Sequence, residues 1–372
     1  MKRSGEPRVL ALDAPGGVPR ELPLAQVMAQ AGLAAAAPDA WPRLSAALRT
    51  QGAAAVLVTA PGGAQGHPRH WLDAAHARGW VTPQAGGEMV QEGLLTEWQA
   101  HLARGHMPAD AALLAWPELP RLSWADRPGS LPSVPASERP APDVPLGLYA
   151  IVDTAQGLRR VLEAGVRTVQ LRVKRPADAD AAWTAALRVA VRESIAAAQG
   201  HGALLFINDH WRLAAELGAR AAHLGQEDLL ALDDRGHDEL RASGLGLGIS
   251  SHAVWELCRA RSLAPSYIAC GPVWPTTTKD MPWRPQGLGN LAWWCRVAQA
   301  PVVAIGGILG VDQVRQTAAA GASGVCVLRG LGSDPRLSVP ALQEAFEHGR
   351  QEARARAGQT VPPLHPTLEG AA

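Results

Sequence analysis

The chain has 372 residues, 47% of them hydrophobic and 19% charged, which is ordinary for a folded chain able to bury a sizeable core. Thirty-five lysines and arginines against 34 aspartates and glutamates leave a formal net charge of +1, so no global field draws it to nucleic acid or an anionic membrane, and any anion must be held by local groups. Met1-Lys2-Arg3-Ser4-Gly5-Glu6-Pro7 has no apolar stretch behind its basic residues, and no long uninterrupted apolar run occurs; the expectation is a cytoplasmic chain without signal peptide or membrane span.

In chain order, Arg8–Leu12 and Ala53–Thr59 read as strands and Leu24–Ala35 and Glu92–Arg104 as helices, a small α/β domain over residues 1–116. Residues 117–145 carry Pro117, Pro120, Pro132, Pro135, Pro140, Pro142 and Pro145. Each proline fixes φ and removes a donor, so the stretch reads as an extended linker with neither helix nor central strand. Eight apolar runs of strand length follow: Leu148–Val152, Thr168–Val173, Ala203–Ile207, Ala221–Leu224, Leu245–Ile249, Tyr267–Cys270, Pro301–Ile305 and Gly324–Leu328. Amphipathic segments such as Asp178–Gln199 and Val311–Ala320 lie between them. Strands apolar on both faces belong in parallel sheets covered by helices. Eight such repeats predict a (β/α)8 TIM barrel over residues 146–350, a doubly wound sheet being the alternative. Residues 351–372 form a tail, disordered from about Gln359 where Pro362, Pro363 and Pro366 follow. Cys258, Cys270, Cys295 and Cys326 have no C-x-x-C spacing and read as free thiols of a reducing compartment. The 13 tryptophans have no functional explanation in the sequence.

In a (β/α)8 barrel the chemistry sits at the C-terminal strand ends. After the second run, alternation puts Gln170, Arg172 and Lys174 on one face. The third and fourth runs end in Asn208-Asp209-His210 and His223-Leu224-Gly225-Gln226-Glu227-Asp228, which sets Asp209 and Asp228 at matching heights on neighbouring strands. Two carboxylates facing two cations suit Mg²⁺ carrying a diphosphate, because this ion takes one or two carboxylates and completes its shell with water and phosphate oxygens. His210 and His223 are poor metal candidates, lacking a second soft ligand at suitable spacing. Ser250 or Ser251, after the fifth run, would cap the next helix or, for Ser250, bond a ligand. Thr276-Thr277-Thr278-Lys279, after the sixth, concentrates three hydroxyls and a cation for anion binding. Pro282, Pro285, Gly287 and Gly289 extend it as an irregular loop of the kind used as a lid. Gly306-Gly307 and Leu328-Arg329-Gly330 end the last two runs, where barrels of this kind bind phosphate through backbone N–H groups.

These segments, Gln170–Lys174, Ile207-Asn208-Asp209, His223–Asp228, Gly271–Lys279 and Ile305–Ile308, resemble the thiamine-phosphate synthase family in order and spacing over residues 146–345. The resemblance implies a transferase that condenses 4-amino-2-methyl-5-(diphosphomethyl)pyrimidine with a thiazole phosphate and releases diphosphate. It implies that Gln170, Arg172, Lys174 and Asn208 hold the pyrimidine diphosphate and that Asp209 and Asp228 bind Mg²⁺. By the same resemblance Ser250 contacts the pyrimidine, Thr276 and Thr278 hold the thiazole phosphate, and Lys279 stands near the leaving diphosphate. Gly307 and the backbone of Leu328 and Arg329 would bind phosphate. The resemblance makes Arg172, Lys174 and Lys279 the expected catalytic cations. The sequence departs from the family at Val173, where an acidic residue is frequent, at Arg329, where serine is usual, and at His210, where arginine is frequent. The rival readings are a thiazole tautomerase-like barrel, which would need a positioned histidine base, and a non-catalytic sensor of thiamine intermediates. Expected partners are small molecules only, with apolar outer helix faces compatible with a homo-oligomer.

Val56–Thr59 and His101–Ala111 resemble the C-terminal part of hydroxymethylpyrimidine-phosphate kinases, which are ribokinase-like. Gly86–Gln91 lacks the Gly-Thr-Gly-Cys type of turn that supplies the anion hole there, so the expectation is an eroded, non-catalytic relative, the alternatives being an unrelated interaction module or a residually active kinase.

Overall fold

The computed structural model describes residues 6–34, 37–60, 70–83, 93–124, 146–277, 282–356, 358, 360 and 364–368. Thr278, Lys279, Gly86–Gln91 and residues 125–145 of the expected linker lie outside the described residues. Contacts divide the chain into two units, one of Met1–Val134 with Ala253–Leu263 and His365–Ala372, the other of Pro135–His252 with Ala264–Leu364.

The first unit is built on strands β1 (Arg8–Leu12), β2 (Arg20–Leu22), β3 (Ala55–Thr59), β4 (His70–Ala74), β5 (Arg78–Thr82) and β6 (Arg121–Leu122), in the order β2-β1-β3-β4-β5-β6. Every pairing is antiparallel. Its helices are α1 (Leu24–Gln30), α2 (Trp41–Thr50), α3 (Leu94–Ala103) and α4 (Pro108–Leu114). The helix expected to run to Ala35 stops at Gln30, because Gly32 adopts φ +64 and closes the end: its N–H donates to Ala29 at 3.2 Å and Leu33 donates to Met28 at 2.9 Å. β6 lies in the proline-rich stretch but at the sheet edge, where proline neighbours are tolerated. Tryptophan has a packing role here. Trp41 of α2 joins Val9, Val56, Trp71 and Trp80 in one cluster, with Trp71 and Trp80 edge to face at 5.0 Å.

In the second unit, strands and helices alternate: β7 (Gly147–Val152), α5 (Ala155–Glu163), β8 (Thr168–Leu171), α6 (Ala181–Gly200), β9 (Leu204–Asn208), α7 (Trp211–Glu216), β10 (Ala221–Leu224), α8 (Gln226–Leu230), α9 (Asp234–Ala242) and β11 (Gly246–Ser251). Helix α10 (Val254–Arg261) interrupts the sequence as part of the first unit. Then follow β12 (Tyr267–Cys270), α11 (Gly287–Val297), β13 (Val302–Ala304), α12 (Val311–Ala319), β14 (Gly324–Val327) and α13 (Pro335–Ala355). The eight strands are parallel and close into a barrel, β14 pairing with β7 through Gly324↔Gly147 to Val327↔Ala150. Closure rules out the doubly wound alternative. All eight strands occur where the apolar runs predict them. Alternate residues fill the interior, among them Tyr149, Ile151, Phe206, Tyr267, Ala269 and Val303. Thr154, Asp180 and Asp233 cap α5, α6 and α9 by accepting backbone N–H bonds at 3.0, 2.8 and 2.7 Å. α13 runs on to Ala355, into the expected tail, and Thr367 farther along is buried.

Helix α10 has alanine at its N-cap and no side-chain cap of its own. Asp110 of α4 supplies one: its carboxylate accepts from Trp255 N at 2.9 Å and from Val254 N. The carboxyl is buried, and burial pushes its pKa from an ordinary 3.8 up to about 7, against the lowering by the two N–H bonds. A folded pKa above the unfolded one favours the protonated group, so this contribution is complete below the unfolded value and is lost as pH rises through about 7. Asp110→Asn keeps an acceptor that does not ionise. Thermal melts from about pH 4 to 8 should show the wild type losing more stability with rising pH than this variant.

Candidate active site

One cavity opens at the C-terminal ends of the barrel strands. Its wall is set by strand alternation. Gln170, Arg172 and Lys174 share one parity, and Asn208, His223 and Ser250 take the equivalent inward positions on β9, β10 and β11. Asp209 follows Asn208 directly, and alternation would turn it away. It lines the cavity because its backbone is left-handed, φ +62, with its N–H donating to His223 O at 3.0 Å. Asparagine and aspartate are the non-glycine residues that tolerate this conformation best.

Lys174 Nζ stands 2.6 Å from Asp209 Oδ2, with the lysine side chain 56% exposed. An exposed pair of this kind contributes at most about 1 kcal/mol to stability, so the pairing sets charge placement rather than holding the fold. Asp228 lines the same cavity and accepts from Gly225 N at 2.9 Å, within the first turn of α8. Its carboxyl is held above the usual range, first by burial and then by the negative charges of Asp209 and Glu227, with the Gly225 bond and Lys174 opposing. Asn208 Nδ2 is buried without a hydrogen-bond partner. Two carboxylates on one cavity wall and an orphaned amide donor fit a cation with an oxygen-rich ligand. Among the described residues no group of three or more His, Cys, Asp or Glu is arranged for a metal ion.

The histidines stand apart from this set. His210 Nε2 bonds Val173 O at 2.8 Å. His223 uses both ring nitrogens, towards Tyr267 and Ser250, and burial lowers its pKa to about 4. Ser250 therefore bonds His223 and does not cap α10, and Ser251 Oγ accepts from Gln226 Nε2 at 3.1 Å.

On the far side, the loops after β12, β13 and β14 meet. Thr276, Gly307, Leu328 and Arg329 all line the cavity. Val273 N and Trp274 N donate to Ile305 O and Gly306 O at 2.9 and 3.1 Å. Gly306 and Gly307 have φ +92 and +71, and a Cβ on either would lie 2.6 Å from Pro272 Cβ or Trp274 Cβ. Gln313, unmarked in the sequence, clamps the glycine loop: its Nε2 donates to Gly307 O at 2.8 Å and its Oε1 accepts from Leu309 N at 2.7 Å. Arg329, where the family usually has serine, reaches Thr277 Oγ1 at 3.1 Å, so its guanidinium joins the threonine loop instead of blocking it. Gly307→Ala should cost about 2 kcal/mol or more through backbone strain and the clash with Trp274, read as a lower urea midpoint at unchanged slope.

A family model described as thiamine monophosphate synthase matches residues 148–331. The thiamine-phosphate synthase of Neisseria meningitidis serogroup A is 44% identical over 206 residues, covering 55% of this chain and 96% of that protein. The thiamine-phosphate synthase of Escherichia coli strain SE11 is 44% identical over 208 residues, 55% of this chain and 94% of that protein. A solved thiamine phosphate pyrophosphorylase from Pyrococcus furiosus superposes with a TM-score of 0.47 at 27% identity, over 55% of this chain and 96% of that one. With 44% identity across nearly the whole of such an enzyme, the chain belongs to the thiamine-phosphate synthase family.

Proposed function

We propose that the barrel joins an aminopyrimidine carrying a diphosphomethyl group to a thiazole phosphate, by loss of diphosphate from the first and attack of the thiazole nitrogen of the second. The observation that carries this reading is the gathering of Arg172, Lys174, Asp209, Asp228 and the partnerless Asn208 amide around one cavity, opposite the glycine and threonine loops. Asp209 and Asp228 would hold a magnesium ion, which when bound supplies positive charge to the diphosphate oxygens. Arg172 and Lys174 neutralise the leaving group as the C–O bond breaks, joined by Lys279 of the threonine loop. Lys174, paired with Asp209 at 2.6 Å, exchanges that partner for phosphate oxygens when the diphosphate binds. Gln170, Asn208 and Ser250 orient the pyrimidine, whose amino-substituted ring carries the developing positive charge. Thr276, Thr278 and the backbone of Gly307, Leu328 and Arg329 hold the thiazole phosphate, with the Arg329 side chain adding a cation beside Thr277. The bond that forms takes the thiazole nitrogen lone pair and the bond that breaks gives its pair to diphosphate, so no protein base is needed. Alignment of two substrates and stabilisation of the leaving group account for catalysis. A tautomerase would need a histidine base in the cavity. His223 and His252 line it; His223 has both nitrogens engaged, which argues against that role for it.

The test is diphosphate release by the full-length protein given both substrates, with magnesium and with chelator. Release that needs both substrates and the metal is the expected result; none from a folded protein would overturn the reading. Asp209→Asn should lower the rate roughly a hundred-fold or more at an unchanged melting temperature. Lys174→Ala should lower kcat by a similar order, with little effect on KM for the thiazole phosphate.

A further inference from the structure

Five polar side chains from five strands form one hydrogen-bonded row across the barrel interior. Gln170 Nε2 of β8 donates to Tyr149 Oη of β7 at 3.0 Å. The hydroxyls of Tyr149 and Tyr267 of β12 meet at 2.9 Å. Tyr267 Oη lies 2.6 Å from His223 Nδ1 on β10, and His223 Nε2 lies 2.8 Å from Ser250 Oγ on β11. Gln170, His223 and Ser250 line the cavity, and the two tyrosines, each 1% exposed, do not. Room for the Tyr267 ring is made by Gly248 of β11, where a Cβ would overlap it.

The direction of every bond follows from counting protons. An amide nitrogen can only donate, so Tyr149 accepts from Gln170 and gives its single proton to Tyr267. Tyr267 accepts that bond and gives its own proton to His223, which makes Nδ1 the lone-pair nitrogen. With Nδ1 a lone pair, the ring's one proton is on Nε2 and goes to Ser250. Ser250 accepts, and its hydroxyl proton is left for whatever fills the cavity.

We propose that Tyr267 is a positioning residue of the synthase: by fixing the Nε2–H tautomer of His223 it makes Ser250 a hydrogen-bond donor, so the substrate must present an unprotonated ring nitrogen there. This rests on the reading of Ser250 as the pyrimidine contact. The row meets the cavity through Gln170, His223 and Ser250, and Tyr267 does not line it.

Two measurements test it. Protein labelled with ¹⁵N-histidine, with His223 assigned by the loss of its signals in His223→Gln, should show Nε2 protonated and Nδ1 bare at neutral pH. The opposite tautomer overturns the proposal whether or not any variant folds. Tyr267→Phe should raise KM for the pyrimidine diphosphate about ten-fold, keep kcat within about two-fold, leave KM for the thiazole phosphate unchanged and give mixed His223 tautomers. Tyr149→Phe, which leaves the Tyr267 bond to His223 in place, should change the same KM by less than about three-fold. A folded Tyr267→Phe with an unchanged pyrimidine KM, or equal effects of the two variants, overturns it. Failure of the wild type to release diphosphate overturns the synthase reading itself and is seen before any variant is made.

Discussion

Closing eight parallel strands into a ring fixes which side chains face the axis. Successive residues of a strand point in opposite directions, and a ring has no edge at which a slipped register could be absorbed. Once Tyr149 and Phe206 face inward, Gln170, Asn208, His223 and Ser250 are committed to the axis by the pairings that bind neighbouring strands. Arg172 and Lys174 inherit that parity beyond the last ladder bond of β8. The chemistry of the mouth thus depends on packing several residues below it, and the polar row from Gln170 to Ser250 lies at the level where packing gives way to chemistry.

The exceptions to alternation are where conformational strain is used. Asp209 reaches the cavity through a left-handed backbone, and this brings a carboxylate against Lys174 and within range of Asp228. Gly306 and Gly307 take positive φ and let two loops touch through their backbones, which brings the threonine loop against the loop after β13. These contacts differ in energy, the exposed Lys174–Asp209 pair adding little to stability. Their effect is a cavity with cations on one wall and hydroxyls and backbone on the other.

Much of this was legible in the chain, for reasons that can be named. The barrel strands are short apolar runs separated by helices, a signal that survives without tertiary information, and each appeared within a residue or two of its expected place, β8 ending at Leu171 rather than Val173. The polar residues at the strand ends were legible because parity and position determine them jointly. β4 and β5 were not. His70–Ala74 and Arg78–Thr82 mix polar and aromatic residues and become strands because β3 on one side and β6 on the other complete their ladders. The tyrosine row was also hidden, since Tyr149 and Tyr267 lie 118 positions apart and are brought together only by closure. Gln313 acts on the backbone of a preceding loop, for which spacing gives no cue. Thr278 and Lys279 rest on the loop's composition and the resemblance, since they lie outside the described residues.

The first unit is discontinuous in sequence. It gathers Met1–Val134, then helix α10 from the middle of the barrel sequence, then residues near the C-terminus. Asp110 is made early, yet the backbone amides it caps belong to Val254 and Trp255. On the ribosome this unit therefore waits: its carboxylate stays solvated until those amides emerge more than a hundred residues later. The part of the molecule that is translated first is completed among the last, and a fragment cut at the proline-rich stretch would carry an aspartate shaped to meet a helix it does not contain.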